Sequence, residues 1–195
     1  MAVILASKSP RRQELLRLLD VEFTIQTADI DEAMDNSKPP EDEVARVSAA
    51  KAAAIAKTAQ AEDIVISADT IVVSQGEILG KPTDEADAAR MLRMLSGGWH
   101  EVMTAVTVCR AEESVTRVSR TRLRFKALSE EEIAAYIATG EPMDKAGSYG
   151  IQGKASLFAE ELHGDYFGVM GLPVCLLAQM LRGFGMNILG KGETV

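Results

Sequence analysis

The sequence predicts a mixed α/β fold, and three observations carry that expectation. Strand-like and helix-like patterns alternate along the 195 residues, with no internal repeat or low-complexity stretch. The chain opens on a short apolar run, Val3-Ile4-Leu5-Ala6, that stops at Ser7-Lys8-Ser9-Pro10-Arg11-Arg12 and passes at once into a helical pattern. Residues 63–73 have the continuous apolar character of a buried strand, with Asp69 and Thr70 placed inside it.

Taken in order, residues 3–6 read as a strand and 10–19 as a helix, with Ser9 able to cap it and Pro10 suited to its first turn. Residues 22–26 read as a strand, 28–40 as an acidic loop, and 41–59 as an alanine-rich helix. After the strand at 63–73, Gln75-Gly76 is a tight turn into a strand at 77–79. A helix at 84–95 closes at Ser96-Gly97-Gly98. Residues 101–109 and 114–126 are β-rich and suit a long antiparallel pair. Residues 129–139 form a helix opened by a capping box, Ser129 with Glu132, and ended by Gly140. Residues 144–153 are a glycine-punctuated loop, and 157–162 with 166–170 read as a hairpin across His163-Gly164-Asp165. The last helix, 172–184, is entered through Pro173, and the tail from Gly185 onward is expected to be loosely held.

Composition narrows the function. A hydrophobic fraction of 47% supports a full core, and the length suits one domain or one domain with two lobes. No apolar run approaches the roughly 20 residues that span a bilayer. The opening run is too short for a signal peptide, and Arg11-Arg12 lie on its wrong side, so the expected location is the cytoplasm, with no membrane partner. The formal net charge of −8 argues against nucleic acid as a partner. Cys109 and Cys175 have no CxxC spacing and read as two reduced, buried thiols.

Against that acidic background the basic residues stand out. Ser7, Ser9, Arg11 and Arg12 lie where a strand empties into a helix N-terminus, a setting that favours anions through backbone N–H groups and the helix dipole. Arginine adds planar, bidentate donors suited to phosphate. A phosphate-rich small molecule is therefore the expected substrate. Asp69 is a lone carboxylate in an apolar strand, which is costly unless it is paired or binds a cation. It could hold a metal, act as a general base on water, or cap a strand end. Asp31 and Glu32 in the acidic loop could supply Mg²⁺ or Mn²⁺ ligands, or be a solvated acidic face. Lys51 sits among alanines that would let a phosphate come close, and Lys81 is held between Gly80 and Pro82, as a phosphate clamp would need; both could equally be exposed lysines.

In Asp144-Lys145-Ala146-Gly147-Ser148-Tyr149-Gly150-Ile151-Gln152-Gly153 three glycines imply close backbone approach to something. The Gln152 amide offers an acceptor and two donors, enough to pair with the N3–H and a carbonyl of uracil or thymine, provided neighbours fix its orientation. A structural turn is the other reading. There is no GxxxxGK[ST] loop, zinc spacing, GxSxG elbow or Rossmann fingerprint.

Together, SxSPRR after the first strand, SADT in a central strand, GKP after it and DKAGSYGIQG further on resemble the Maf-like nucleotide pyrophosphatases, in the order of that family and over roughly residues 3–174. The likeness is nearest to the branch acting on dTTP and UTP, in which the IQG glutamine is characteristic. The resemblance implies an elongated, mixed-sheet α/β fold like that of inosine triphosphate pyrophosphatases, formed by residues 1–195 as one domain with a cleft between two lobes. It implies hydrolysis of a nucleoside triphosphate to the monophosphate and pyrophosphate, a divalent metal cation, and a possible homodimer. By matching positions it implies Asp69 as proton acceptor and Arg11, Thr70 and Gln152 in substrate choice. It likewise implies Ser7, Arg12, Lys51 and Lys81 in phosphate binding, and Glu32 near the metal with Asp31 beside it. The alternatives are a pyrophosphatase for another base, such as CTP or a modified purine nucleotide, and a nucleotide-binding regulator of cell division with no important turnover.

Overall fold

The structure is a computed structural model that describes residues 1–190. The described residues form seven strands: β1 (Val3–Leu5), β2 (Thr24–Ile25), β3 (Ile64–Ser74), β4 (Glu77–Leu79), β5 (Trp99–Arg110), β6 (Glu113–Phe125) and β7 (Ala159–His163). Among the described residues six α-helices accompany them: α1 (Pro10–Arg17), α2 (Pro40–Ala56), α3 (Glu85–Leu95), α4 (Glu130–Ile137), α5 (Tyr166–Met170) and α6 (Val174–Gly183). The expected mixed α/β fold is thus present. The strands form one mixed sheet in the order β2-β1-β3-β5-β6-β7, with β4 paired to β3. β1 runs parallel to both neighbours, Leu5 lying opposite Ile25 on one side and Ile66 on the other. Flanked on both sides and fully buried, it is apolar at every position. β4 and β7 pair antiparallel, with β3 and β6 respectively. Only residues 111–112 join β5 to β6, a connection short enough to require the antiparallel hairpin expected.

The described residues divide into two compact units: Met1–Asp69, Thr104–Ser119 and those from Gly171 onward in one, Thr70–Met103 and Arg120–Met170 in the other. In the first unit Ile4, Ala6, Ala52, Ile55, Val65 and Cys109 form a core of β-strand residues against the small face of α2. A buried hydroxyl chain sets the register of α2 on β3. Ser67 Oγ donates to the Ser48 carbonyl at 2.7 Å, and Ser48 Oγ lies 2.9 Å from Thr107 Oγ1. Ser48 is one helical turn before Lys51, and Ser67 is two strand positions before Asp69. The helical and strand periods therefore bring Lys51 and Asp69 to the same place.

In the second unit α3 and α4 cover a core that includes Leu79, Leu92, Leu95, Leu123, Phe125, Tyr149 and Phe158. His100 is buried inside it, edge-on to Phe125 and with Nε2 2.9 Å from the Tyr149 hydroxyl. Burial pushes its pKa down from 6.5 to about 4. The unfolded chain therefore takes up the proton first. The stability due to neutral His100 is complete above about pH 6.5 and is lost as the pH falls toward 4, by about 3 kcal/mol in all. Denaturant melts at pH 7 and pH 5 check this: His100→Gln is expected to lower the difference between the two, and an unchanged difference would contradict it.

Three sequence expectations are corrected. Residues 166–170 are helix α5, not a strand: Asp165 Oδ1 accepts from the N–H groups of Phe167 and Gly168 and so caps a helical turn, while β7 pairs with β6. Ser9 precedes α1, but its side chain makes no cap bond; its N–H donates to Ser7 Oγ at 3.3 Å. Cys109 is buried as expected, whereas Cys175 is exposed, because it falls on the outer side of α6 away from Leu177 and Leu181. The expectation for the tail reaches beyond Gly190, outside the described residues. Among the described residues no helix is long and apolar enough to cross a membrane.

Candidate active site

The loop between β1 and α1 starts from a strand end pinned in the sheet, where the Ala6 N–H donates to the Ile66 carbonyl at 2.7 Å. Ser7 is buried there, and Arg12 lies on the first turns of α1. The Arg12 guanidinium is held at two points, Nε donating to the Gly171 carbonyl at 2.8 Å and Nη1 to Ser7 Oγ at 3.3 Å. Burial lowers its pKa, Asp69 works against that, Arg11 lowers it further and Glu32 raises it. Both carboxylates and the second arginine are therefore within electrostatic reach of one guanidinium. Ser9 and Arg11 are half-buried in the same loop and turn.

Asp69, 8% exposed, meets Lys51 of α2: Nζ donates to Oδ1 at 2.7 Å. The same ammonium lies 3.1 Å from Glu32 Oε1. The lone strand carboxylate is therefore paired. Its partner is the lysine that sequence placed among small residues, and Glu32 comes from the acidic loop. That loop is braced by α2, where Arg46 Nη2 donates to the Ala33 carbonyl at 2.6 Å and Glu43 Oε2 accepts from the Asp35 N–H at 3.0 Å. Asp31 is engaged differently. Its Oδ1 accepts from the Ala33 N–H at 2.9 Å, closing a turn within the loop, and Glu32 is the one that reaches Lys51.

Asp69 and Glu32 converge on one cationic nitrogen, which is the arrangement two carboxylates need to share a cation. Such a pair suits Mg²⁺ or Mn²⁺, which take one or two carboxylates and complete their shell with phosphate oxygens and water. Among the described residues no group of three or more His, Cys, Asp or Glu side chains is gathered as a metal site.

Thr70 follows Asp69 on β3 and, by strand alternation, points to the opposite face. It begins the second unit, which also carries Lys81 and Gln152. Lys81 is exposed, and its loop is tied to the glycine loop by a bond from the Gly147 N–H to the Gly80 carbonyl at 3.0 Å. Gln152 is exposed at the third position of a turn closed by the Gly153 N–H on the Gly150 carbonyl at 2.9 Å. The preceding Ile151 is buried in the core.

The close approach implied by the glycines is to the protein itself. A Cβ on Gly147 would meet Val72, one on Gly150 would meet Cε of Lys145 at 2.7 Å, and one on Gly153 would strike the Glu141 carboxylate. Burial pushes the Tyr136 pKa up, and the hydroxyl stays protonated. It donates to Glu141 Oε1 at 2.9 Å while accepting from the Gly150 N–H at 3.1 Å.

Sequence reasoning overlooked Gly171, Arg46, Glu43, Tyr136 and Glu141, which act on the predicted residues from a distance in the chain. Gly171, at φ 117° just before Leu172-Pro173, was the one with a local signal.

By fold the chain is an α/β protein of the Ham1 type. The structure of a HAM1 protein from Coxiella burnetii matches it with a TM-score of 0.52, covering 94% of this chain and 100% of that one at 15% identity. The Staphylococcus aureus Ham1 protein matches with a TM-score of 0.51, covering 94% and 99% at 11% identity. At such identities the likeness concerns the fold alone. The chain belongs to the Maf-like protein family, whose model matches residues 2–184. A relative from Bacillus mycoides (strain KBAB4), named dTTP/UTP pyrophosphatase, is 47% identical over 186 residues, 95% of this chain and 97% of the relative.

Proposed function

We propose that this chain is a nucleoside triphosphate pyrophosphatase that hydrolyses dTTP and UTP to the monophosphate and pyrophosphate. The observation that carries the reading is the meeting of Asp69, Lys51, Glu32 and Arg12 in one unit, in a family member 47% identical to a protein named for that activity. A carboxylate beside a triphosphate repels it unless cations surround both, and here each carboxylate shares a cation.

The Arg12 guanidinium, locked by Gly171 and Ser7, is a fixed positive charge suited to the phosphates and to charge developing on the leaving pyrophosphate. Arg11, Ser9 and the ammonium of Lys81 are assigned to the remaining phosphate oxygens. Lys51 fixes Asp69 through Oδ1, which leaves Oδ2 to take the proton of a water attacking the α-phosphorus. Glu32 and Asp69 would hold the divalent cation, which supplies charge neutralisation and a more acidic water. Thr70 and Gln152 are assigned to base choice, Gln152 through the N3–H and carbonyl edge of uracil or thymine.

Pyrophosphate release from dTTP, UTP, CTP, ATP and GTP, with Mg²⁺ or Mn²⁺ and with chelator, tests the proposal. Metal-dependent release from dTTP and UTP is expected. Preference for another base overturns the reading of Gln152, and no release from any of the five overturns the activity.

A further inference from the structure

The turn that presents Gln152 is anchored on both sides by one pair of residues outside the loop. The Gly150 N–H, two residues before Gln152, donates to the Tyr136 hydroxyl at 3.1 Å. The Lys154 N–H, two residues after it, donates to Glu141 Oε2 at 3.1 Å. Tyr136 and Glu141 are joined by a 2.9 Å bond from the hydroxyl to Oε1. Both flanking glycines lie against this pair and its neighbour Lys145, so closely that a Cβ on either would collide. Lys145 in turn donates to the Glu141 carbonyl at 2.5 Å. Tyr136 sits on α4, 3% exposed in the core. The turn is thus tied at one end to α4 through Tyr136 and at the other to Glu141 just beyond it, and the buried Ile151 fills its middle.

We propose that Tyr136 and Glu141 are specificity-positioning residues: they fix the 150–153 turn so that the Gln152 side chain is delivered to the pyrimidine edge from one place and at one angle. This rests on the reading of Gln152 given above. An amide that can flip presents either a donor or an acceptor to the base and cannot reject cytosine. Which face of the amide is offered is settled against the bound base; where the amide lies is settled by the turn, and a tilt of the turn weakens the match to the N3–H and carbonyl edge. The pair acts through Gln152 and takes no part in the chemical step.

The test is steady-state kinetics of the full chain on dTTP and CTP, with thermal melts of each variant, for Gln152→Ala, Tyr136→Phe and Glu141→Gln. Tyr136→Phe removes the acceptor for the Gly150 N–H, and Glu141→Gln replaces a carboxylate oxygen facing Lys154 while keeping shape, so the second serves if the first fails to fold. The expected result is a fall of at least about fivefold in the dTTP-over-CTP ratio of kcat/KM in both folded variants, carried by KM for dTTP rather than by kcat. A purely structural role would lower the melting temperature and leave that ratio alone. If Gln152→Ala collapses the ratio and the two positioning variants keep it within about twofold, this proposal is wrong and the reading of Gln152 stands. If Gln152→Ala itself leaves the ratio unmoved, the reading of Gln152 falls and this proposal with it.

Discussion

Exchanging Asp69 for asparagine is expected to lower kcat on dTTP by about 10²-fold or more while keeping substrate affinity within about tenfold. The substitution preserves the shape of a side chain that is 8% exposed and removes its basicity. An asparagine carbonyl can still accept the Lys51 ammonium, so α2 and β3 keep their register through that contact and through the Ser48, Ser67 and Thr107 hydroxyls. What is lost is the ability to take a proton from water. Lys51 retains Glu32 as a charged partner, so the ammonium is not left unpaired. Affinity is expected to change little because the basic side chains that bind the phosphates are left in place, while a weaker hold on the divalent cation adds to the loss in kcat. Stopped or rapid-quench turnover with a separate titration of binding separates the two effects. Turnover like that of the parent would remove Asp69 from the proton transfer.

Truncating Arg12 to alanine has the second large expected effect, a loss of about 3 kcal/mol in kcat/KM, or roughly 10²-fold. The guanidinium is pre-set by the Gly171 carbonyl at 2.8 Å and Ser7 Oγ at 3.3 Å, so its charge is already in position when the phosphates arrive. Lysine at this position restores the charge but not the fork, and Arg12→Lys is expected to recover only part of the loss. Removing the arginine also takes one cation away from Asp69 and Glu32, so the carboxylates repel the triphosphate more strongly. Kinetics on dTTP for both variants check this. A loss under about 1 kcal/mol for Arg12→Ala would make the arginine a support for the Gly171 loop only.

Legibility in the sequence followed how local each cause is. β1, α1 and β3 are decided by runs of apolar residues and by Pro10, and their bounds differ from expectation by a residue or two. The capping box at Ser129 is present with both of its bonds, since its partners lie three residues apart. Residues 166–170 misled because Tyr166, Phe167 and Val169 have strand propensity; what decides the matter is one carboxylate oxygen of Asp165 bonding two N–H groups. At the site, the residue types were readable and the pairings were not. Lys51 and Asp69 were separate candidates, and their union depends on hydroxyls packing α2 onto β3. Asp31 and Glu32 were indistinguishable in sequence. The turn bond of Asp31 to Ala33 and the hold of Arg46 on the same carbonyl-bearing residue separate them. The glycines of the 144–153 loop were rightly read as close approaches, but their neighbours, Val72, Lys145 and Glu141, are set by tertiary structure.

Water attack on the α-phosphorus, with Asp69 taking the proton, is the central claim, and oxygen-18 water tests it most directly. Hydrolysis of dTTP in labelled water, followed by mass spectrometry of both products, is expected to place one label on the thymidine monophosphate and none on the pyrophosphate. Label on pyrophosphate, or release of orthophosphate in its place, would contradict the account.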